Sequence, residues 1–570
     1  MLKEKFEMKK LLAFIILFFG YLLGIAFAAG PIGGGPIGGG GIDLDYLDER
    51  YAGLAYGIMW NENQDTYIRI GDPYLFIHDD MKRCILADNG TVVYYLDGYN
   101  REGISPSVNG TCDATATKKL KDAGVFTSSA SNYVGHYAHN KTDDTYSLIT
   151  AKDDNDTLSL QDDIFVSGEE FEICTGVFNG DDGQVMVEIP AFYHKYWYDN
   201  GWHGHSISYS QLPGYELHHA FQKNGDNVTA RYIGAYEGVL YDVSENKYVN
   251  GLYLPSNDSY KMSFNGTAET ITSDTLTHPF TNLEAGVDTI VISGTVNNNL
   301  TCGITNVTDT VITVDCDLTN EASVACVIQT QRDWSNDVLS SVAGKAPITY
   351  GKRSEFRTAA ANRGTGWRQQ DFDLVSAVQL LYLIEYGSWY SQSEIGAGLT
   401  DWSGGTWSDW NNKNPIEKTG LSNSAATWSV SNGNGNKGSY VSYRWIENPW
   451  GHMEKWVDGI NVEDHVPYVC NNDTHFADNT STNYTSLGVT LADSNGYQKT
   501  LAQIARGFLP ASVGGSSSTY ITDYYCQNTG WRGVRSGGYA AYNTNAGIAY
   551  LSIGNSAYNY NSFTTSRLSW

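Results

Sequence analysis

The sequence predicts a mixed α+β fold made mostly of short strands, on three observations. Two central stretches, roughly Lys352 to Asn362 and Phe372 to Tyr386, read as helices. Apolar residues elsewhere come in brief alternating runs separated by Gly, Asn and Asp, the pattern of strands joined by turns. Aromatic residues make up 13% of the chain and charged residues 17%, with 40 Tyr and 60 Gly, a balance that suits a packed, loop-rich core and not a disordered chain.

At 570 residues the chain is long enough for roughly two to four units. Lys3, Lys5, Lys9 and Lys10 precede an apolar run, Leu11 to Phe27, and Ala26-Phe27-Ala28 offers small residues at the two positions a signal peptidase reads. Residues 1–28 therefore read as a signal peptide. The run is also long enough to remain as an uncleaved anchor, the one route to a membrane that the sequence offers. Residues 29–45 form a Gly-rich tether, with GPIGGGPIGGGG over Gly30 to Gly41. The net charge of −27 excludes nucleic acid and anionic lipid surfaces as partners and fits a soluble exported protein, secreted or held at a cell or virion surface.

Past the tether, residues 46–97 read as the first part of a scaffold, with Thr91 to Leu96 a strand. Residues 98–170 turn polar and read as an insertion or long loop region. Apolar patterning returns at Gln184 to Pro190, within a segment spanning 171–261, and residues 262–331 read as a small all-β unit containing three of the eight cysteines. Residues 332–570 hold both helices, the first ending near Gly364 and the second capped by Asp371. A further short helix is expected at Lys499 to Arg506. No cysteine sits in a CxxC pair, so zinc is not expected, and an even count in an exported chain implies some disulfides, whose connectivity the spacing does not fix. Twelve Asn-x-Ser/Thr sequons run from Asn89 to Asn483 and none follows, so glycosylation would leave the end of the chain bare.

That end carries the functional signal. From Ser536 to Ser566 there is no Lys, Arg, Asp, Glu, Gln, His, Met or Trp, and every residue present is reachable from an AAC or AAT codon by changing its adenines. Tyr and Asn dominate the larger side chains. Tyr supplies wide amphipathic contact with little rotamer freedom to lose, and Asn and Ser supply adaptable hydrogen bonds, as in antibody paratopes. The expected ligand face is Tyr539, Tyr542, Asn543, Asn545, Tyr550, Ser552, Asn555, Tyr558, Asn559, Tyr560, Asn561 and Phe563.

Several blocks, in order along about two-thirds of the chain, carry a family resemblance. They are Met81–Leu86 (MKRCIL) with Val92–Asp97 (VVYYLD), Gly183–Tyr193 (GQVMVEIPAFY), Gly214–His218 (GYELH) with Ala220-Phe221, and Tyr232–Glu237 (YIGAYE). Later come Asn362–Trp367 (NRGTGW), Gln379–Gly387 (QLLYLIEYG), Ser442–Gly451 (SYRWIENPWG), Trp456–Gly459 (WVDG), Thr519–Tyr525 (TYITDYY) and Gly530–Gly538 (GWRGVRSGG). The set resembles the variable proteins of diversity-generating retroelements, which include phage tail receptor-binding proteins. The resemblance implies a C-type-lectin-like domain of the formylglycine-generating-enzyme or sulfatase-modifying type, assembled here from 46–97 and 171–570, with 536–566 as its variable region. The insertions at 98–170 and 262–331 and the signal peptide depart from the family and favour a cell-surface or secreted form over a tail protein.

The function expected is that of a receptor-binding protein or adhesin for a protein or glycan on another cell or virus surface. Two other classes stay open: a surface or virion decoration protein without a specific ligand, and an enzyme of the sulfatase-modifying type. The enzymes of that type use paired cysteines after an Arg-Gly-Gly-like turn. This chain has none after Gly538 and only Cys526 nearby, so no enzyme activity is expected. No cofactor is expected either. His203-Gly-His205 and His218-His219 read as solvated loop and scaffold histidines rather than metal ligands. Glu447-Asn448-Pro449 has the wrong order for a calcium-lectin signature, leaving only a structural calcium open. Trp450, Trp456 and Trp531 read as core residues, and Arg444 and Glu447 as a buried pair or loop staples.

Overall fold

The computed structural model describes residues 53–63, 66–96, 108–128, 133–134, 137–143, 145–174, 178–402, 417–425 and 427–570. The signal peptide and tether expected at 1–45, and the beginnings of the scaffold and of the polar insertion, lie outside them. The architecture is a β-rich α+β fold of several curled sheets around one long helix.

That helix, Phe372–Tyr386, is the centre of the core. The Asp371 carboxylate accepts from the Leu374 backbone N–H at 3.0 Å, and Gly387 closes the last turn at φ 73°, where glycine meets no Cβ penalty. Twelve of its fifteen residues are buried, because sheets and loops pack around nearly its whole circumference. The shorter helix, Arg353–Ala361, starts with the Lys352 N–H donating to the Glu355 carboxylate at 2.7 Å. Both helices lie where the sequence places them.

Three sheets frame this core. A five-stranded antiparallel sheet pairs Ala55–Asn61 with Trp202–Ser208 and Thr66–Gly71. A six-stranded sheet runs Arg368–Gln369, Leu568–Ser569, Ala230–Gly234, Gln184–Pro190, Lys82–Leu86, Val92–Tyr95. It therefore draws the two ends of the chain together: Ile233 pairs with Ser569, while Met186 pairs with Cys84. A nine-stranded sheet holds Glu454–Glu463 beside Trp531–Ser536, which in turn lies beside Leu551–Ser552.

Of the two readings of 98–170, an insertion or a long loop region, the loop region is corrected. Its described part, 108–174, forms a six-stranded sheet with its own core of Leu120, Phe126, Ile149, Phe165 and Phe171. The strands are three to eight residues long, and their outward residues are Thr, Ser, Asn, Glu and Lys, which masks the alternation. The β unit expected at 262–331 is an eight-stranded sheet that begins earlier, at Tyr253–Leu254, and carries the Cys302–Cys316 disulfide. Cys112, Cys326 and Cys470 are buried free thiols. The helix expected at Lys499–Arg506 is also corrected. Gly496–Ile504 is a strand paired with Gly507–Val513, and Gln498 and Gln503 point inward. Cross-strand pairing outweighs the helix preference of Lys, Leu, Ala and Gln. Among the described residues no helix is long and apolar enough to cross a membrane.

Candidate recognition surface

Strand Trp531–Ser536 delivers the chain to the C-terminal segment through Gly537 and Gly538, at φ 84° and 72°. The segment then divides by burial into three stretches. Residues 539–545 form a half-buried aromatic turn, 546–553 run through the interior, and 554–563 return over the surface.

The interior stretch is fixed by polar side chains of the scaffold. Gln379 Nε2 donates to the Ile548 carbonyl at 2.9 Å, and Gln498 Nε2 to that of Ala549 at 2.7 Å. The Asp523 carboxylate accepts from the Ala549 N–H at 2.7 Å and is itself pushed well above the usual carboxylate range by burial. Tyr550 is fully buried and donates its hydroxyl to Glu454 at 2.6 Å. Glu454 also takes Arg535 Nη1 at 2.5 Å, and Arg535 reaches Thr564 Oγ1 at 2.9 Å. Ser552 is buried in the strand beside Arg535. Tyr550 and Ser552 therefore leave the expected ligand face. The composition that nominated them does not distinguish an interior tyrosine with a carboxylate partner from a displayed one.

In the aromatic turn, Tyr539 stacks on Phe563 with centroids 4.2 Å apart and planes 14° apart. Tyr542 lies 4.2 Å from Tyr539 and 5.4 Å from Tyr550. Tyr539 and Phe563 pack over Leu399, Met453 and Ala540, with burial pushing the Tyr539 hydroxyl up to about 12. Only their edges face out. Asn543 is exposed, its side-chain amide 3.2 Å from the Asp401 carboxylate, and Asn545 is half-buried behind it.

The surface stretch is the displayed part. Tyr558 and Tyr560 are 54% and 53% exposed, and their hydroxyls make no hydrogen bond among the described residues. Its backbone is tied down from both sides. Gly533 N–H donates to Asn555 O at 3.2 Å, Arg353 N–H to Ala557 O at 3.1 Å, and Tyr350 N–H to Asn561 O at 3.0 Å. Asn561 Oδ1 in turn accepts from the Phe563 N–H at 3.1 Å, and its amide reaches Asn559 Oδ1 at 3.2 Å. Asn555, Tyr558, Asn559 and Tyr560 line an open depression together with Arg532. Sequence reasoning missed Arg532 because it falls outside the uncharged window, on the strand that precedes it.

The remaining candidates resolve as follows. Trp450 and Trp456 are fully buried, and Trp531 is half-buried 6.1 Å from Tyr468. Arg444 and Glu447 do not pair. Arg444 holds Glu385 at 2.7 Å, while Glu447 accepts from the Gly420 and Ser422 N–H groups. His203 and His205 are not solvated loop residues, which corrects that expectation. They lie buried in strand Trp202–Ser208, where His205 Nδ1 meets His194 Nε2 at 3.1 Å and His205 Nε2 meets Gln503 Oε1 at 2.7 Å. His218 caps a short turn by accepting from the Ala220 N–H. Among the described residues no group of three or more His, Cys, Asp or Glu is placed to hold a metal. Cys526 is half-buried 3.9 Å from the Tyr550 hydroxyl, and burial pushes its thiol up. No protein-family model matches the chain, and no curated protein matches it.

Proposed function

We propose that this chain is an exported recognition protein that binds a protein or glycan on another cell or virus surface, through a C-terminal face on a C-type-lectin-like scaffold. The observation that carries the reading is the exposure of Tyr558 and Tyr560 on a loop whose backbone is hydrogen-bonded to the scaffold at Asn555, Ala557 and Asn561. A loop already held in place loses little entropy on binding, and its side chains can be exchanged without disturbing the fold. The face is refined to Tyr558, Tyr560, Asn555, Asn559, Asn561 and Asn543, with the edges of Tyr539, Tyr542, Asn545 and Phe563. The raised Cys526 thiol is the opposite of what a nucleophilic thiolate requires, and this supports binding over catalysis. Diversification of residues 536–566 belongs to the same proposal.

The test is a binding screen of the secreted chain against arrayed cell-surface proteins and glycans, repeated with the Tyr558→Ala/Tyr560→Ala double variant. The expected result is a ligand whose affinity falls at least about tenfold in the variant, with the melting temperature unchanged. A ligand bound equally by both forms would place recognition elsewhere.

A further inference from the structure

The hairpin formed by Val441–Tyr443 and Ile446–Glu447 has only two residues in its turn, Arg444 and Trp445, because Tyr443 pairs with Ile446. Their φ angles are 46° and 68°. Such turns favour Asn-Gly, since both central residues must be left-handed. A side chain with a Cβ costs about 1–2 kcal/mol at each position. Two large residues held there indicate a turn shaped for what its side chains do.

Those side chains build paired platforms. The Arg83 guanidinium lies 4.2 Å from the Trp445 ring centroid, and Arg444 lies 5.2 Å from that of Trp428. Arg444 is fixed by three contacts of 2.7–3.1 Å to Glu385 and donates to the His78 carbonyl at 2.9 Å. The Trp428 carbonyl accepts from both the Trp445 N–H and Ser442 Oγ. Trp428 is therefore held at its backbone while the residue remains 46% exposed. Exposure of so large an apolar ring, with its position fixed, marks a contact surface.

The two tryptophans line a cavity of about 480 Å³ between this hairpin, strand Lys82–Leu86 and the 108–174 sheet, which contributes Tyr137, Gln161 and Asp162. The volume falls in the range of small-molecule sites. Arg444 is answered by Glu385 and Asp79, and Lys82 by Asp80 at 3.1 Å, while the Arg83 guanidinium donates to Asn423 Oδ1 at 2.8 Å and to the Tyr137 hydroxyl at 3.0 Å. An ion would thus gain little. A sugar ring, by contrast, offers an apolar face of C–H groups for the indole and a rim of hydroxyls. Planar Asp162, Asp79 and Gln161 can take those hydroxyls as donors and acceptors. We propose that this cleft is a second ligand site, separate from the C-terminal face, that binds a neutral saccharide without a metal, with Trp428 as its stacking platform.

The test is an array of neutral mono- to tetrasaccharides of hexoses and N-acetylhexosamines, probed with the full secreted chain in the presence of a chelator. The strongest hit is then titrated by tryptophan fluorescence and calorimetry. The expected outcome is binding that changes indole emission and falls at least about tenfold in Trp428→Ala. Trp428→Phe should retain part of it, and Tyr558→Ala/Tyr560→Ala all of it. Melting should be unchanged in Trp428→Ala, whose ring is half exposed. No saccharide bound at millimolar concentration, or binding that Trp428→Ala leaves intact, would overturn the proposal. Binding lost only in the double tyrosine variant would overturn it while supporting the C-terminal face.

Discussion

Residues 546–553 and 554–561 adjoin in sequence and both carry Ala, Gly, Ser and Tyr, the first adding Ile and Leu and the second Asn, and the first stretch is interior while the second is on display. The tyrosines show why. Tyr550 has a buried carboxylate, Glu454, waiting for its hydroxyl, and scaffold amides and carboxylates take the backbone groups around it. Tyr558 and Tyr560 sit on a stretch tied to the scaffold through backbone hydrogen bonds, with Ala557 as its buried residue and no polar partner for either hydroxyl among the described residues. Polar partners contributed from distant parts of the chain, together with the buried Ile548, Leu551 and Ile553 around Tyr550, decide which tyrosines are interior and which are exposed. The anchored stretch belongs to the scaffold, and the displayed stretch is what the scaffold presents.

The largest expected effect on this contrast is acid. In the unfolded chain an imidazole takes its proton near 6.5. In the fold, burial above all holds His194 and His218 down to about 3 and pushes His205 well below its ordinary value. Neighbouring imidazoles and, at His218 and His219, the Arg506 charge add to the effect. Between pH 6.5 and 3 the unfolded state therefore binds more protons, and the stability these groups support is complete above 6.5 and falls as the pH drops. The displayed loop has no carboxylate, histidine or lysine over 536–566. Thermal melting should thus decline steadily from pH 6.5 towards 4, while ligand affinity per folded molecule stays flat. A melting temperature constant across that window would show that the histidine layer is not buried as described.

Next in size is the anchor itself. Glu454→Ala leaves the Arg535 guanidinium in the interior without its carboxylate, and should destabilise the fold by about 3–5 kcal/mol in chemical denaturation. Tyr550→Phe removes one hydroxyl from the same carboxylate and should cost about 1–3 kcal/mol. If Tyr550→Phe were neutral, the distinction between anchored and displayed tyrosines would lose its main support.

The sequence makes local features legible and distant partnerships illegible. The helix Phe372–Tyr386 could be placed closely because its apolar spacing is helical and Asp371 is a local start signal. The 108–174 sheet could not, because its strands are short, polar on one face, and stabilised by pairings up to tens of residues apart, such as Glu170 with Thr111. Lys499 to Ile504 reads as helix by propensity and is a strand because Gly507–Val513 folds back on it. The candidate face divides the same way. That a Tyr/Asn window ends the chain is a local fact, whereas the burial of Tyr550 depends on Glu454, nearly a hundred residues earlier. Arg83 and Trp445, which shape the second cleft, are separated by more than three hundred residues, and no local pattern joins them.

The smallest expected effect is the most discriminating. Tyr558→Ala and Tyr560→Ala should each change stability by no more than about 0.5 kcal/mol, the range of surface substitutions that disturb no buried group. Three backbone hydrogen bonds, from Gly533, Arg353 and Tyr350, hold the loop, and truncating either ring removes none of them. Tyr560 does approach Tyr350, with centroids 6.4 Å apart, and Tyr350 stacks on Tyr253 at 4.1 Å. Tyr560→Ala should therefore be the more costly of the two, though still small. A loss above about 1 kcal/mol at either position would mean that the side chains, and not the backbone ties, set the loop's conformation. Such a loop could not exchange residues freely, and a face open to diversification would give way to a fixed surface whose tyrosines serve the fold.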